Sequence, residues 1–177
     1  IKRKYLIKNK VMGTTSKNNI NITWDDENDW GKFSELIIDS IHTTLAFEKI
    51  EKNLIINVYF VDNNQIKELN NQYLKNNYET DVLSFNFYDG WKDGKIIEKK
   101  GLFPGEENLN ELGELYLSIP KIIQQSQENN LTFLKELSTM AVHGTLHLLG
   151  YNHEVLNEEK IMFSKTSKIL ENISLKE

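Results

Sequence analysis

The sequence predicts a single layered domain of mixed α/β (α+β) class, a small mixed β-sheet of about four strands flanked by helices. Three observations predict it. The chain has 177 residues, the length of one ordinary domain and enough for a sizeable core. Its composition, 39% hydrophobic and 27% charged, is that of a globular protein and too apolar for a disordered one. Segments with strand-like and helix-like periodicity intermingle along it without internal repeats.

The elements follow in order. Residues 1–19 form a basic N-terminal extension, expected to be flexible, and residues 20–177 the domain itself. Ile20-Asn21-Ile22-Thr23-Trp24 alternates apolar and polar, as a half-buried strand does. An acidic turn, Asp25 to Asp29, leads into a helix with its body at Ser34 to Glu48, where Phe33, Leu36, Ile37, Ile41, Leu45 and Phe47 keep helical spacing. Leu54 to Val61 is β-branched and nearly continuously apolar, which predicts a central strand covered on both faces. Asp62 or Asn63 caps a short helix carrying Ile66, Leu69 and Tyr73. Asp81 to Phe87 predicts the next strand and Leu112 to Ser118 the one after it; between them the Gly-punctuated polar segment Tyr88 to Asn110 predicts a long surface hairpin or loop. Pro120 suits the first turn of a helix reaching Glu128. Leu131 to Leu149 predicts a longer helix broken by Gly150, and Glu158 to Asn172 a final amphipathic helix capped by Asn157.

Charge and composition exclude several functions. Lys plus Arg is 21 against 26 for Asp plus Glu, a net charge of −5, the opposite of a non-specific polyanion binder, so any nucleic-acid contact must be local. The absence of Cys excludes a disulfide framework, thiolate zinc and thiol catalysis, and points to a reducing compartment. No run approaches eighteen apolar residues, so no span crossing a membrane and a cytoplasmic location are expected. The first residues, Ile1-Lys2-Arg3-Lys4-Tyr5, lack the apolar core of a secretory signal. Met12 is the expected native start, with the residues before it an upstream remnant and a trimmed organellar presequence the weaker alternative.

The chemistry concentrates in His143-Gly144-Thr145-Leu146-His147-Leu148-Leu149-Gly150-Tyr151-Asn152-His153, which holds three of the four His. On a helix, four residues mean a rotation of about 40° and a rise of about 6 Å, so His143 and His147 project from one face and can share an ion. Gly150 permits the left-handed turn that ends the helix and lets His153 arrive from a third direction. Three neutral imidazoles leave one tetrahedral position open for water, the arrangement of a catalytic zinc site with one Zn²⁺ per chain. The alternative is core or surface histidines without metal. Met140 to Leu149 is apolar nearly all round, and unpaired imidazoles buried there would be costly, which favours the metal. His42, in the first helix, has no such neighbours and is read as a surface or boundary residue. The spacing HxxxHxxGxxH is also that of metzincin peptidases, whose general base is a Glu directly after the first His. Here that position is Gly144, which disfavours a zinc peptidase.

The sequence at this point resembles the YbeY endoribonuclease family, metal-dependent RNA hydrolases associated with ribosomal RNA maturation. The signature H-G-x-L-H-L-x-G-Y-D-H is matched by His143 to His153, with Asn152 in place of Asp. Leu69-Asn70 through Thr80-Asp81-Val82-Leu83-Ser84-Phe85 and Leu112-Gly113-Glu114 agree in order, and the resemblance covers residues 20–173. It implies the family's fold, zinc held by His143, His147 and His153, and an endoribonuclease acting on RNA in rRNA 3′-end maturation and ribosome quality control, with the ribosome or its small subunit as partner. Where the family has Tyr-Arg before Thr-Asp-Val-Leu-Ser-Phe, this chain has Tyr73-Leu74, so the Arg expected to meet phosphate is absent; Arg3 is the sole Arg. Either a lysine such as Lys75 substitutes, without the planar bidentate fork, or catalysis is weakened; the alternative function is a ribosome-assembly binding factor of the same fold with weak or no catalysis.

Asp81 and Glu114 are the candidate catalytic carboxylates, for orienting a His or handling protons, and each serves equally well as a strand-end or turn residue bonded to backbone. Glu154 reads as a structural residue before the last helix. Asn152 can hydrogen-bond as Asp would, without the charge that raises imidazole basicity. Basic residues gather in the extension (Lys2, Arg3, Lys4, Lys8, Lys10) and in the long loop (Lys92, Lys95, Lys99, Lys100), either as solvated surface or as phosphate contacts with Trp91 and Tyr88 beside them to stack on bases.

Overall fold

The structure, a computed structural model, describes residues 12–51, 53–87, 90–96 and 110–175. Strand β1 (Met12–Lys17) pairs antiparallel with β2 (Ile20–Asp25). The two-residue loop between them, Asn18-Asn19, has φ of 50° and 65°, the paired left-handed geometry that suits the twist of a tight hairpin and that Asn tolerates best after Gly. Short 3₁₀ turns then lead into α1 (Ser34–Phe47) and the strand β3 (Ile55–Val61). Helix α2 (Asn63–Leu69) starts on a capping box, Asp62 accepting from the Gln65 N–H and Gln65 from the Asp62 N–H, and runs into a π turn at Asn70–Leu74. Strand β4 (Val82–Asn86), a short hairpin of β5 (Trp91–Lys92) and β6 (Lys95–Ile96), β7 (Glu111–Ser118), α3 (Ile119–Glu128), α4 (Phe133–Leu148) and α5 (Leu156–Leu170) complete the chain.

The main sheet has five strands in the order β1-β2-β3-β7-β4, with β2, β3 and β7 parallel and both edge strands antiparallel. The main core lies on one face, where Ile22, Val58 and Leu117 of the sheet meet Ile37 and Ile41 of α1 and Val142 of α4, all fully buried. A second, smaller cluster occupies the other face, where Ile66 and Leu69 of α2 cover Leu83, Phe85 and Tyr116. Among the described residues no helix is long and apolar enough to cross a membrane.

The mixed α/β fold is as expected, with three differences of detail. The sheet has one more strand than expected, because β1 lies within the stretch assigned to the extension; residues 1–11 lie outside the described residues. β3 is central, but only Ile56, Val58 and Phe60 face the main core, while Asn57 and Tyr59 stay partly exposed because α2 covers only part of the second face. Asn157 sits inside α5, whose N-cap is Val155, so the helix begins earlier than the polar residue suggests. Lys99, Lys100 and Tyr88 of the long loop lie outside the described residues.

Candidate metal centre

Gly144 sets the position of the histidine helix. A Cβ built on it would stand 2.9 Å from Leu115 Cδ2, 3.1 Å from Ser84 Oγ and 3.2 Å from Val82 Cγ2, so α4 approaches β4 and β7 as closely as the absence of a side chain allows. His143 and His147 are thereby held beside the edge strand β4, on the wall of an open cleft of about 760 Å³ that Asp81, Ser84, Asn86, Trp91 and His153 also line. The same contact decides what Gly144→Glu does. The new carboxylate would be driven into the packed sheet, so the variant is expected to lose at least about 3 kcal/mol of stability in a denaturant titration and to gain no peptidase activity. A variant as stable as the natural chain would overturn this account of the packing.

The helix ends in a Schellman motif, with the Gly150 N–H donating to the His147 carbonyl at 2.9 Å and the Tyr151 N–H to the Leu146 carbonyl at 3.1 Å. Gly150 has φ of 81°, and a Cβ there would lie 2.1 Å from the Trp91 carbonyl oxygen, so both the turn and the docked β5–β6 hairpin require glycine. The last carbonyls of α4 are bonded from outside the helix, Leu148 by the Asn86 side-chain amide at 3.0 Å and Leu149 by the Gly94 N–H at 3.0 Å. The chain leaves this turn toward the cleft and delivers His153.

The ligand atoms of His143, His147 and His153 all lie within 4.8 Å of one another. The Nε2 atoms of His143 and His147 face each other at 3.1 Å. Two nitrogens each about 2.0–2.1 Å from a tetrahedral zinc stand about 3.3 Å apart, so this spacing fits an ion between them. His147 Nδ1 lies 2.9 Å from the Tyr151 carbonyl oxygen, which can only accept, so the proton belongs on Nδ1 and the lone pair on Nε2 faces the cleft.

Burial, then repulsion from the His147 and His153 rings, pushes the His143 imidazole down to about 4, against a partial opposing pull from Asp81. Burial also lowers His147, with His153 the next cause. Both rings are therefore neutral at pH 7 and ready to bind a cation. The linked prediction concerns the metal-free protein. His143 is protonated in the unfolded chain below its ordinary pKa of 6.5 and resists protonation in the folded one until about 4. Stability is accordingly full above pH 6.5 and falls as pH drops from 6.5 toward 4, by on the order of 3 kcal/mol. Denaturation midpoints across that window should show the loss, and His143→Ala should flatten it; a flat natural profile would be the contrary result.

The two candidate carboxylates part company. Asp81 lines the cleft, but its oxygens are already engaged: Oδ1 accepts from the Val82 N–H at 2.7 Å and the Thr80 hydroxyl at 3.0 Å, and Oδ2 from the Gln125 amide at 3.0 Å. Glu114 is not brought to the cleft. Its neighbours Gly113 and Leu115 point toward α4, so strand alternation turns Glu114 to the opposite face, where it is 7% exposed and accepts from the Tyr116 hydroxyl at 3.0 Å. Glu154 is exposed, as is Asn152 at the cleft. His42 is half-buried on α1, and burial lowers its pKa.

Leu74 lines the cleft and is 52% exposed, held there by the π turn that follows α2. Lys75 adopts φ of 62° and donates to the Gln72 carbonyl of its own turn at 3.2 Å, away from the cleft. No Lys or Arg is among the described residues that line the cleft, and Lys92 and Lys95 are exposed on the adjacent hairpin. Sequence reasoning missed Ser84 and Asn86 as cleft residues, although strand alternation from Val82 puts all three on one face.

Fold and site together define an α/β protein with a helix-borne trio of histidines that could hold one metal ion and without the acid a zinc peptidase needs. A model of the family described as Endoribonuclease YbeY matches residues 18–174. Proteins named Endoribonuclease YbeY from Malacoplasma penetrans (39% identical, over 70% of this chain and 73% of the relative), Clostridium tetani (39%, over 80% and 87%) and Geobacillus sp. (37%, over 88% and 97%) are similar along most of their length. The solution structure of TM1509 from Thermotoga maritima superposes with a TM-score of 0.54 at 28% identity, over 87% of this chain and 88% of that one. The chain belongs to the YbeY endoribonuclease family.

Proposed function

We propose that this protein is a zinc-dependent endoribonuclease of the cytoplasm that acts in rRNA 3′-end maturation and ribosome quality control, with the small ribosomal subunit as its partner. Family membership supports the endoribonuclease role, the hydrolysis of RNA. The observation that carries the metal dependence is the convergence of three ring nitrogens, two of them 3.1 Å apart, on the wall of a cleft open to a polymer. His143, His147 and His153 would hold the ion, which when bound supplies Lewis acidity toward a phosphoryl oxygen and acidifies a water.

The chain's own residues do the rest. Asn86 and Gly94 anchor the end of α4, so that the two helical imidazoles keep their aim. Asp81, tied to Gln125 of α3, places negative charge beside His143 and so raises that ring's basicity. Trp91 lines the cleft and is the aromatic residue there on which a base would stack. Glu114, across the sheet, takes no part. Residues 20–177 act as the hydrolase domain, with β1 adding an edge strand to its sheet.

A second reading, a ribosome-assembly factor with little catalysis, is favoured by one observation, the absence of a Lys or Arg among the described residues that line the cleft where Leu74 stands. Cleavage of structured and single-stranded RNA by the purified chain, before and after chelation and with zinc restored, separates the two. Cleavage lost with chelator and recovered with zinc supports the nuclease. Tight RNA binding without cleavage under every condition supports the assembly factor.

A further inference from the structure

Glu48, at the C-terminal end of α1, is an acid in an unfavourable place. The carbonyl end of a helix repels negative charge, and its side chain is only 6% exposed. Its Oε1 accepts from Lys165 Nζ of α5 at 2.6 Å, and its Oε2 from the Tyr151 hydroxyl at 2.6 Å. Lys165 Nζ also stands 4.9 Å from the centre of the Tyr151 ring. Gly94 closes the arrangement, because a Cβ there would lie 2.8 Å from Glu48 Oε2 and 3.1 Å from the Tyr151 hydroxyl. A buried ion pair adds little net stability over an apolar replacement, so stability gives no reason for this one.

What the pair holds is Tyr151. This residue lies 5% exposed between two of the three histidines, with its carbonyl accepting from His147 Nδ1 at 2.9 Å and its chain continuing two residues to His153. We infer that Tyr151, clamped at its ring by Glu48 of α1 and Lys165 of α5, is a positioning residue that presets the tautomer of His147 and the approach of His153, an inference that rests on the metal reading of the three histidines. The clamp joins two helices that carry no ligand to the turn that carries the site. Its loss frees the Tyr151 carbonyl to drift from His147 Nδ1, so that the ring can turn its lone pair away from the cleft.

The test uses the full chain with Co²⁺ as the probe, whose visible absorption reports binding directly. Co²⁺ affinity, the melting temperature of the metal-free protein, and the His147 ring tautomer from long-range ¹⁵N–¹H correlations are measured for the natural chain, Tyr151→Phe, Lys165→Met and Lys165→Arg. Lys165 is partly exposed, so its variants fold even if Tyr151→Phe does not. Tyr151→Phe and Lys165→Met should bind Co²⁺ about 10- to 100-fold more weakly and show a mixed His147 tautomer. Lys165→Arg, which keeps the cation, should stay close to the natural chain in both. A lowered melting temperature with unchanged affinity and tautomer in Lys165→Met would make the clamp merely structural and overturn the inference. Failure of the natural chain itself to bind Co²⁺ would instead overturn the metal reading on which it rests.

Discussion

Replacing His147 by Ala should abolish metal binding, and with it both the metal-dependent rise in melting temperature and metal-dependent RNA cleavage. The natural chain should carry about one zinc under a three-ligand site. His147 contributes one of the two facing Nε2 atoms and is the ring whose orientation the Tyr151 carbonyl fixes, so no neighbour can replace it. An ion present at a thousand times its dissociation constant stabilises the folded state by about 4 kcal/mol. At about 2–4 °C per kcal/mol for a domain of this size, the natural protein should melt about 10 °C higher with zinc than without. His147→Ala should show no such difference, and its metal content by elemental analysis should fall to background. A natural chain that holds no zinc after zinc-replete purification, or a His147→Ala variant that keeps its zinc and its thermal shift, would remove the metal from the account.

Leu74→Arg should raise the rate of RNA cleavage, and raise it in the chemical step. The resemblance to the family implies at this position an Arg that meets phosphate, and one correctly aimed donor where negative charge builds up is worth on the order of 100- to 1000-fold in rate. The structure removes the main objection to the variant. Leu74 is not packed against the sheet; it stands half-exposed on the cleft wall, where a longer side chain has room. Lys75, the nearest possible substitute, donates to Gln72 of its own turn and is not among the cleft residues, so Lys75→Ala should leave the rate nearly unchanged. Single-turnover cleavage at saturating enzyme separates rate from affinity. A robust natural rate that collapses in Lys75→Ala and does not respond to Leu74→Arg would show that the lysine swings into the cleft and does the work.

The three-histidine site was legible because its information is local. A four-residue spacing puts His143 and His147 on one face of a helix, and one glycine at the end of that helix turns the chain back so that His153 can join them. Most elements were legible for the same reason, since a run such as Leu54 to Val61 carries its β-branched, apolar character within itself. β1 was not, because Thr14 to Lys17 is polar throughout and lacks the alternation of a half-buried strand, although Asn18-Asn19 before an alternating strand was a usable hairpin signal. The start of α5 was misplaced for a related reason: Asn157 has the chemistry of a cap, but Val155 holds the extended conformation from which the helix begins.

Glu114 marks the boundary between the two kinds of information. By itself the sequence determined that this is one α/β domain with a histidine-bearing helix, that a metal is the economical reading of that helix, and that Gly144 leaves no peptidase base. Which carboxylate stands near the three histidines it could not determine, because alternation says only that Glu114 and Leu115 face opposite ways, and not which of them faces α4. Tertiary packing decided that, when Gly144 let α4 settle against Leu115 and Ser84 and so turned Glu114 to the far face of the sheet. The same packing put Leu74 at the cleft, sent the Lys75 side chain back to its own turn, and joined Glu48, Tyr151 and Lys165 across more than a hundred residues of chain. Short-range periodicity is written in adjacent residues; the side of a sheet that a helix covers depends on contacts between segments far apart in sequence.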